Sequence, residues 1–219
     1  MAGMRVLVTA GPTQEKFDPV RYISNHSTGK MGYAIARAAM LRGADVTLVS
    51  GKVSIPSPAG VNMVPVVSAA DMAQAVKASA GEQDIIIKAA AVADYRPVVT
   101  ADEKMKKKDG ELTVALERTE DILAYLGAHR KDGQFICGFS METEHMLENS
   151  RAKLEKKNID MIVANNLRQE GAGFGTDTNV VTLLTKEETL ELPILSKEEV
   201  ADRLLTFILH KLGKKAEIA

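Results

Sequence analysis

An apolar run, Val6-Leu7-Val8, ends in the small-residue turn Thr9-Ala10-Gly11-Pro12-Thr13. A helical pattern then opens at Ser27-Thr28-Gly29, with Met31, Ile35, Ala38 and Leu41 recurring at helical steps. Few folds accommodate that order. A strand that leaves through a small-residue turn and returns as a helix is the first half of a βαβ unit, and such units build parallel sheets with right-handed crossovers. With Ser27, Thr28 and Gly29 in its first turn, the helix offers unpaired N–H groups and the positive end of its dipole, which together favour phosphate. The insert between strand and helix, from Ala10 to Ser27, is far longer than an ordinary βα loop. Long ordered loops on a rigid scaffold are where binding residues concentrate.

The alternation continues along the chain. The first strand spans 6–9, and the helix spans 28–42 and stops at Gly43 in a C′ role. Strands follow at 46–49 and 62–66, and Ser68 caps a helix to about residue 78 with Asp71 in its first turn. Residues 84–91 are apolar on both faces, as a central parallel strand requires. A strand at 135–139, a helix at 144–157 and a strand at 161–164 come next. A late hairpin (180–184 with 189–192) and a helix capped by Ser196 and ending near 212 complete the pattern. The fold class is therefore α/β: a doubly wound, mostly parallel Rossmann-like sheet with helices on both faces. One domain over 4–213 is expected, with a mobile flap at about 97–112 and flexible ends at 1–3 and 214–219.

Charge narrows the partners. In 219 residues, 28 basic and 29 acidic side chains nearly cancel, so no global field draws the chain to nucleic acid or an anionic membrane. No apolar stretch approaches the roughly 20 residues of a membrane span. The one cysteine, Cys137, lies in an apolar run, and a reducing, cytoplasmic setting is expected.

Two common nucleotide routes are missing. The turn after the first strand reads AGPTQEKF and lacks the G-x-G-x-x-G fingerprint. Ser50-Gly51-Lys52 stands where a ribose-binding carboxylate would follow the second strand. No G-x-x-x-x-G-K-[ST] loop occurs either, nor a Tyr-x-x-x-Lys-type pair in a helix, which argues against a short-chain oxidoreductase. Other clusters fall where strands of such a sheet end, which is where open α/β sheets bind ligands. Lys88-Ala89-Ala90-Ala91 leaves the central strand through small residues that let a flat ring approach, and Asp94 follows. The basic run Lys104-Met105-Lys106-Lys107-Lys108 reads as a solvated loop or as a flap that closes on phosphate. Phe139 ends one strand, Asn165-Asn166 the next, and Lys153 and Lys157 share one helix face. The segment GFGTDTN, 173–179, is a glycine-rich turn. The four histidines lack metal-ligand spacing, so the available chemistry is positioning and electrostatic stabilisation of phosphoryl charge.

Read together and in order, VTAGPT, DPVRYISNHSTGKMG, AAAVADYRP, KMKK, GFSMET, VANN and GFGTDTN resemble the phosphopantothenoylcysteine synthetase family, in its bacterial, CTP-using type. The resemblance spans Val6 to Leu184. It implies a carbon–nitrogen ligase of coenzyme A biosynthesis that uses CTP, with Mg²⁺ present, to activate the carboxylate of 4′-phosphopantothenate as an acyl-cytidylate. Cysteine then attacks, giving 4′-phosphopantothenoylcysteine, CMP and pyrophosphate. By the same resemblance Asn25 and Lys104 are catalytic. CTP is held by Lys88, Ala89, Ala90, Asp94, Lys104, Glu120, Asp121, Ile122, Leu123, Phe139, Lys153 and Lys157. Gly11, Asp18, Arg21, Ser27, Thr28 and Gly29 serve phosphate or substrate. The family implies a homodimer, with Asp18 and Arg21 near a neighbouring active site, or a larger assembly with a flavin-dependent decarboxylase. Thr119-Glu120-Asp121-Ile122 departs from the family's usual Asn-Pro-Asp-Ile, and Thr28 stands where serine is frequent. A catalytically silent nucleotide-binding module is the other reading the motifs allow.

Overall fold

The structure, a computed structural model, describes residues 1–106, 110–142, 146–166 and 175–213. Its centre is an eight-stranded sheet. We number its strands β1 (Arg5–Ala10), β2 (Asp45–Ser50), β3 (Asn62–Pro65), β4 (Ile85–Lys88), β5 (Phe135–Glu142), β6 (Met161–Asn166), β7 (Val181–Leu184) and β8 (Thr189–Glu191). The helices are α1 (Lys30–Leu41), α2 (Ala69–Ala80), α3 (Ile122–Ala128), α4 (Met146–Lys157) and α5 (Lys197–Lys211). In these labels the strand order is 3-2-1-4-5-6-7-8. The first six strands are parallel, and β7 and β8 close the edge as an antiparallel hairpin.

Alternation within each strand explains the layers. On one face Val6, Val8, Ile85, Ile87, Cys137 and Val163 pack with α1 and α5. On the other, Leu7, Ile86, Ile136 and Ile162 pack with residues of α2, α3 and α4. Both faces of the central strands are covered, so their sequences read as unbroken apolar runs. Ser68 and Ser196 each complete a capping box, with Asp71 and Glu199.

Several elements differ from the sequence expectation. The central strand ends at Lys88, so the alanines 89–91 lie beyond the ladder. Helix α1 begins at Lys30 after a left-handed Gly29, which puts Ser27 and Thr28 ahead of its first turn. The flap expected at about 97–112 is rooted by a two-stranded ladder, Tyr95–Pro97 with Leu116–Arg118, after which the chain turns into α3. Glu15–Lys16 pairs with Tyr22–Ile23 inside the long insert. Met1 donates its ammonium to Arg42 O at 2.6 Å. Residues 107–109 of the flap and 214–219 lie outside the described residues.

Helices α3 and α4 touch backbone to backbone. A Cβ at Gly127 would stand 1.7 Å from Lys157 O. Asn158, at φ 51, ends α4 and donates to Gly127 O at 3.0 Å. Gly127→Ala is therefore expected to destabilise the fold by about 1–3 kcal/mol and to weaken ligand binding, because it displaces the helix that carries Lys153 and Lys157. A urea midpoint equal to that of Gly175→Ala, whose added Cβ meets nothing within 4 Å, would contradict this contact.

Candidate active site

The order 3-2-1-4 reverses direction between β1 and β4, and a crevice opens beyond the carboxyl ends of that pair. The local chemistry holds it in shape. Leaving β1, the chain turns at Gly11 (φ 76) and meets Gly29 (φ 79). A Cβ at Gly29 would lie 2.8 Å from Val53 Cγ1 and 3.4 Å from Gly11 Cα. Only glycine supplies both the left-handed backbone and that closeness. Leaving β4, the alanine segment is tied across. Ala90 N donates to Thr9 Oγ1 (3.1 Å), Ala93 N to Thr13 Oγ1 (3.0 Å) and Asn25 Nδ2 to Ala91 O (2.7 Å). Ala90 thus cannot offer its N–H to a bound ring.

Two cavities share this crevice. One of about 230 Å³ is lined by Ser27, Thr28, Gly29, Lys30, Asn165, Asn179 and Lys197 among others. One of about 370 Å³ is lined by Arg118, Thr119, Glu120, Asp121, Ile122 and Leu123. Lys88, Val92, Asp94, Phe139 and Lys153 line both. They are two ends of one cleft with a common waist.

The smaller end is built for an anion. Lys30 and Lys197 are the first residues of α1 and α5, where a cation faces the positive end of the helix dipole. That local disadvantage is answered in part by Asp177, 2.5 Å from Lys30 Nζ. Lys197 is buried, and burial first, then the Lys30 charge, lowers its pKa. Its ammonium donates to Thr176 O. Nearby, Asn165 and Asn179 are buried at 7% and 3% exposure, and among the described residues the Oδ1 of each has no hydrogen-bond partner. Unpaired buried acceptors are rare in folded proteins, and these two line a cavity where a ligand's donor would satisfy them.

At the waist, Lys88 emerges on the same sheet face as Ile86, toward α3 and α4. Burial, and then repulsion from Lys153, push its pKa down to about 8, against the pull of Asp121 and Asp94. Among the described residues neither the Lys88 nor the Lys153 ammonium has a hydrogen bond or ion pair within the chain. At the larger end, Asp121 caps α3 through Ala124 N (2.9 Å) and accepts from the Lys157 ammonium. Burial works against the Asp121 charge, but these two donors outweigh it and its pKa lies below the ordinary value. Glu120 pairs with Lys77 at 2.5 Å.

The structure thus gathers Ser27, Thr28, Gly29, Lys88, Ala89, Ala90, Asp94, Glu120, Asp121, Ile122, Leu123, Phe139 and Lys153 around one cleft. Ile122 and Leu123 bury their side chains in the core. Lys157 reaches the cleft through Asp121, and Gly11 supports the floor. Asn25 stands behind the wall, bonded to Ala91 O and, through Oδ1, to Ser27 N at 3.0 Å. Lys104 is exposed and lines neither cavity. Asp18 and Arg21 lie away from both, at the root of the flap. Lys30, Lys197 and Asn179 were not singled out as site residues in the sequence. A lysine at the first position of a helix breaks the dipole preference, and that local conflict is the signal that could have flagged two of them.

Residues 1–212 match the family described as DNA/pantothenate metabolism flavoprotein C-terminal domain. The chain is 50% identical over 207 residues to the coenzyme A biosynthesis bifunctional protein CoaBC of Bacillus subtilis (strain 168), covering 94% of this chain and 51% of that protein. It is 47% identical to the CoaBC of Vibrio vulnificus (strain YJ016), covering 95% and 52%. It therefore spans about half the length of the curated relatives it matches. The crystal structure of the C-terminal domain of a coenzyme A biosynthesis bifunctional protein CoaBC superposes with a TM-score of 0.83 at 47% identity, covering 97% of this chain and 99% of that one.

Proposed function

The chain belongs to the DNA/pantothenate metabolism flavoprotein C-terminal domain family, and on that footing we propose that it is a CTP-dependent phosphopantothenate–cysteine ligase. The observation that carries the reading is the single cleft whose smaller end holds Lys30 and Lys197 and whose two ends meet at the cations Lys88 and Lys153. The phosphate of 4′-phosphopantothenate suits the smaller end, with Ser27 to Gly29, Lys30 and Lys197. Its hydroxyl and amide donors can reach the unpaired oxygens of Asn165 and Asn179. CTP suits the larger end, with its phosphates directed at Lys88 and Lys153. The two reactants then meet at the waist.

The chemistry needs no covalent enzyme intermediate. A carboxylate oxygen attacks the α-phosphorus of CTP and the bond to pyrophosphate breaks. The amine of cysteine then attacks the acyl carbon, the bond to CMP breaks and the amine loses a proton. In both steps negative charge grows on non-protein oxygens, and fixed cations and N–H donors of the cleft would stabilise it. Among the described residues no group of three or more His, Cys, Asp or Glu stands together to hold a metal. Mg²⁺ would arrive on the triphosphate, with Asp94 or Asp121 as its carboxylate neighbour, since Mg²⁺ is commonly bound through phosphates and one or two carboxylates. Bound there, it would neutralise phosphate charge.

Homodimer formation is part of the proposal. Val20, Tyr22 and Val99 are exposed at 60%, 50% and 74% on the long insert and the flap root, an apolar surface that a second copy would cover. A cytoplasmic location fits the buried, unpaired Cys137; among the described residues no helix is long and apolar enough to cross a membrane.

Nucleotide choice tests the reading. In a coupled pyrophosphate-release assay with phosphopantothenate and cysteine, CTP is expected to support turnover far better than ATP, because a site that hydrogen-bonds one ring leaves polar groups unpaired with another. Equal use of ATP removes the CTP assignment, and no pyrophosphate with either nucleotide removes the ligase. Calorimetric binding of NAD in place of CTP would point to an oxidoreductase instead.

A further inference from the structure

Asp18 is buried, and its carboxylate is the centre of a small network. Oδ1 accepts from Val20 N (2.8 Å) and Arg21 N (2.7 Å), while Oδ2 accepts from Arg21 Nε (2.9 Å) and Nη2 (2.6 Å). The Arg21 guanidinium beside it, with those backbone donors, holds its carboxyl well below the usual carboxylate range. The pair reaches one residue elsewhere in the chain. Met105 N donates to Asp18 Oδ2 at 3.2 Å, and Arg21 Nη2 donates to Met105 O at 2.9 Å. Both backbone groups of Met105 are thus held, and Met105 adjoins Lys104. The rest of the flap root lies along the same insert. Ala101 N donates to Phe17 O (3.0 Å) and Thr100 Oγ1 to Lys16 O (3.1 Å).

From this geometry we infer that Asp18 and Arg21 are positioning residues that act through Lys104: they clamp the flap at Met105 and fix the point from which the Lys104 ammonium reaches the cleft. The inference rests on the ligase reading for its catalytic consequence, though not for the clamp itself. It also accounts for the length of the insert. A strand-to-helix connection of ordinary length would not extend to the flap root. The Glu15–Lys16 and Tyr22–Ile23 ladder projects Asp18 and Arg21 beneath it. A bidentate arginine suits the task because its planar fork serves Asp18 with two donors while Nη2 also bonds the Met105 carbonyl. A lysine ammonium has neither the span nor the plane.

Arg21→Lys is the test, because it leaves a cation beside buried Asp18 and so spares the fold. It should slow formation of the acyl-cytidylate by about 10- to 100-fold, the scale expected from misplacing a catalytic group by about 1 Å, with CTP and phosphopantothenate affinities unchanged. In a Lys104→Ala background the same change should cost nothing further, since a residue acting only through Lys104 has nothing left to position. Independent of any activity, trypsin should cut after Lys104 or Lys106 faster in Arg21→Lys than in the wild type, and the Met105 amide should lose protection from hydrogen exchange. Losses that add in the double variant overturn the inference, as does a raised KM for phosphopantothenate with kcat intact, which would make Arg21 a substrate contact. Unchanged proteolysis and exchange remove the clamp. If the wild type proves inactive while the proteolysis and exchange results hold, the ligase reading fails and the clamp stands.

Discussion

Asn25→Asp is expected to release pyrophosphate once per site and then stall with acyl-cytidylate bound, even when cysteine is supplied. The asparagine amide has two N–H donors and two acceptor lone pairs. One donor is committed to Ala91 O at 2.7 Å and one lone pair to Ser27 N at 3.0 Å. That leaves a second N–H beside the alanine segment that lines the cleft. On the proposed mechanism this donor meets the acyl oxygen as cysteine attacks and stabilises charge that exists only in the transition state. Loss of one preorganised donor typically slows the reaction on the order of 100- to 1000-fold. A carboxylate here would also face Ala91 O, so some loss of stability is expected, to be read separately from a urea melt. The discriminating result is the split between half-reactions, followed by mass spectrometry of the quenched enzyme. If both half-reactions fall together, Asn25 is a tether between loop and strand and no more. Cysteine turnover at the wild-type rate rejects its catalytic role altogether.

Lys104→Ala should act on the other half-reaction. Lys104 is exposed and outside both cavities, and on the proposed mechanism its ammonium meets the phosphates only when the flap brings it in. A contact made that late stabilises the transition state more than the ground state. Single-turnover formation of the acyl-cytidylate should fall on the order of 100-fold or more, while the affinity for CTP, held by Lys88 and Lys153 at the waist, stays near that of the wild type. A collapse of CTP affinity with unchanged turnover at saturation would make the lysine a ground-state clamp. No change in either would return the basic run to the solvated surface.

How much of this was written in local pattern can be followed residue by residue. The strands β1, β2, β4, β5 and β6 announced themselves as apolar runs because both their faces are covered. Both capping serines, Ser68 and Ser196, were visible ahead of their helices. Helix α3 was not visible, since seven residues make fewer than two turns and give periodicity too little to repeat. The ladder Tyr95–Pro97 with Leu116–Arg118 was hidden for another reason: its two strands are three residues each, too short for alternation to mark them.

What the sequence by itself determined is the part of the protein encoded over a few neighbouring residues: the layers, the handed parallel sheet and the family signature. What the tertiary structure alone decided is everything that depends on pairs far apart in the chain. Lys30 and Lys197 become one anion site only because α1 and α5 pack on the same sheet face. Asn165 and Asn179 become unpaired acceptors only where β6 and the segment before β7 close on the cleft. Arg21, which the resemblance assigns to phosphate or substrate, meets the flap only because Met105, 84 positions later, is laid beside its guanidinium. Hydrophobic periodicity sets which face of each element turns inward, but it carries no information about which polar ends then meet, because that is fixed by the order in which the strands join the sheet.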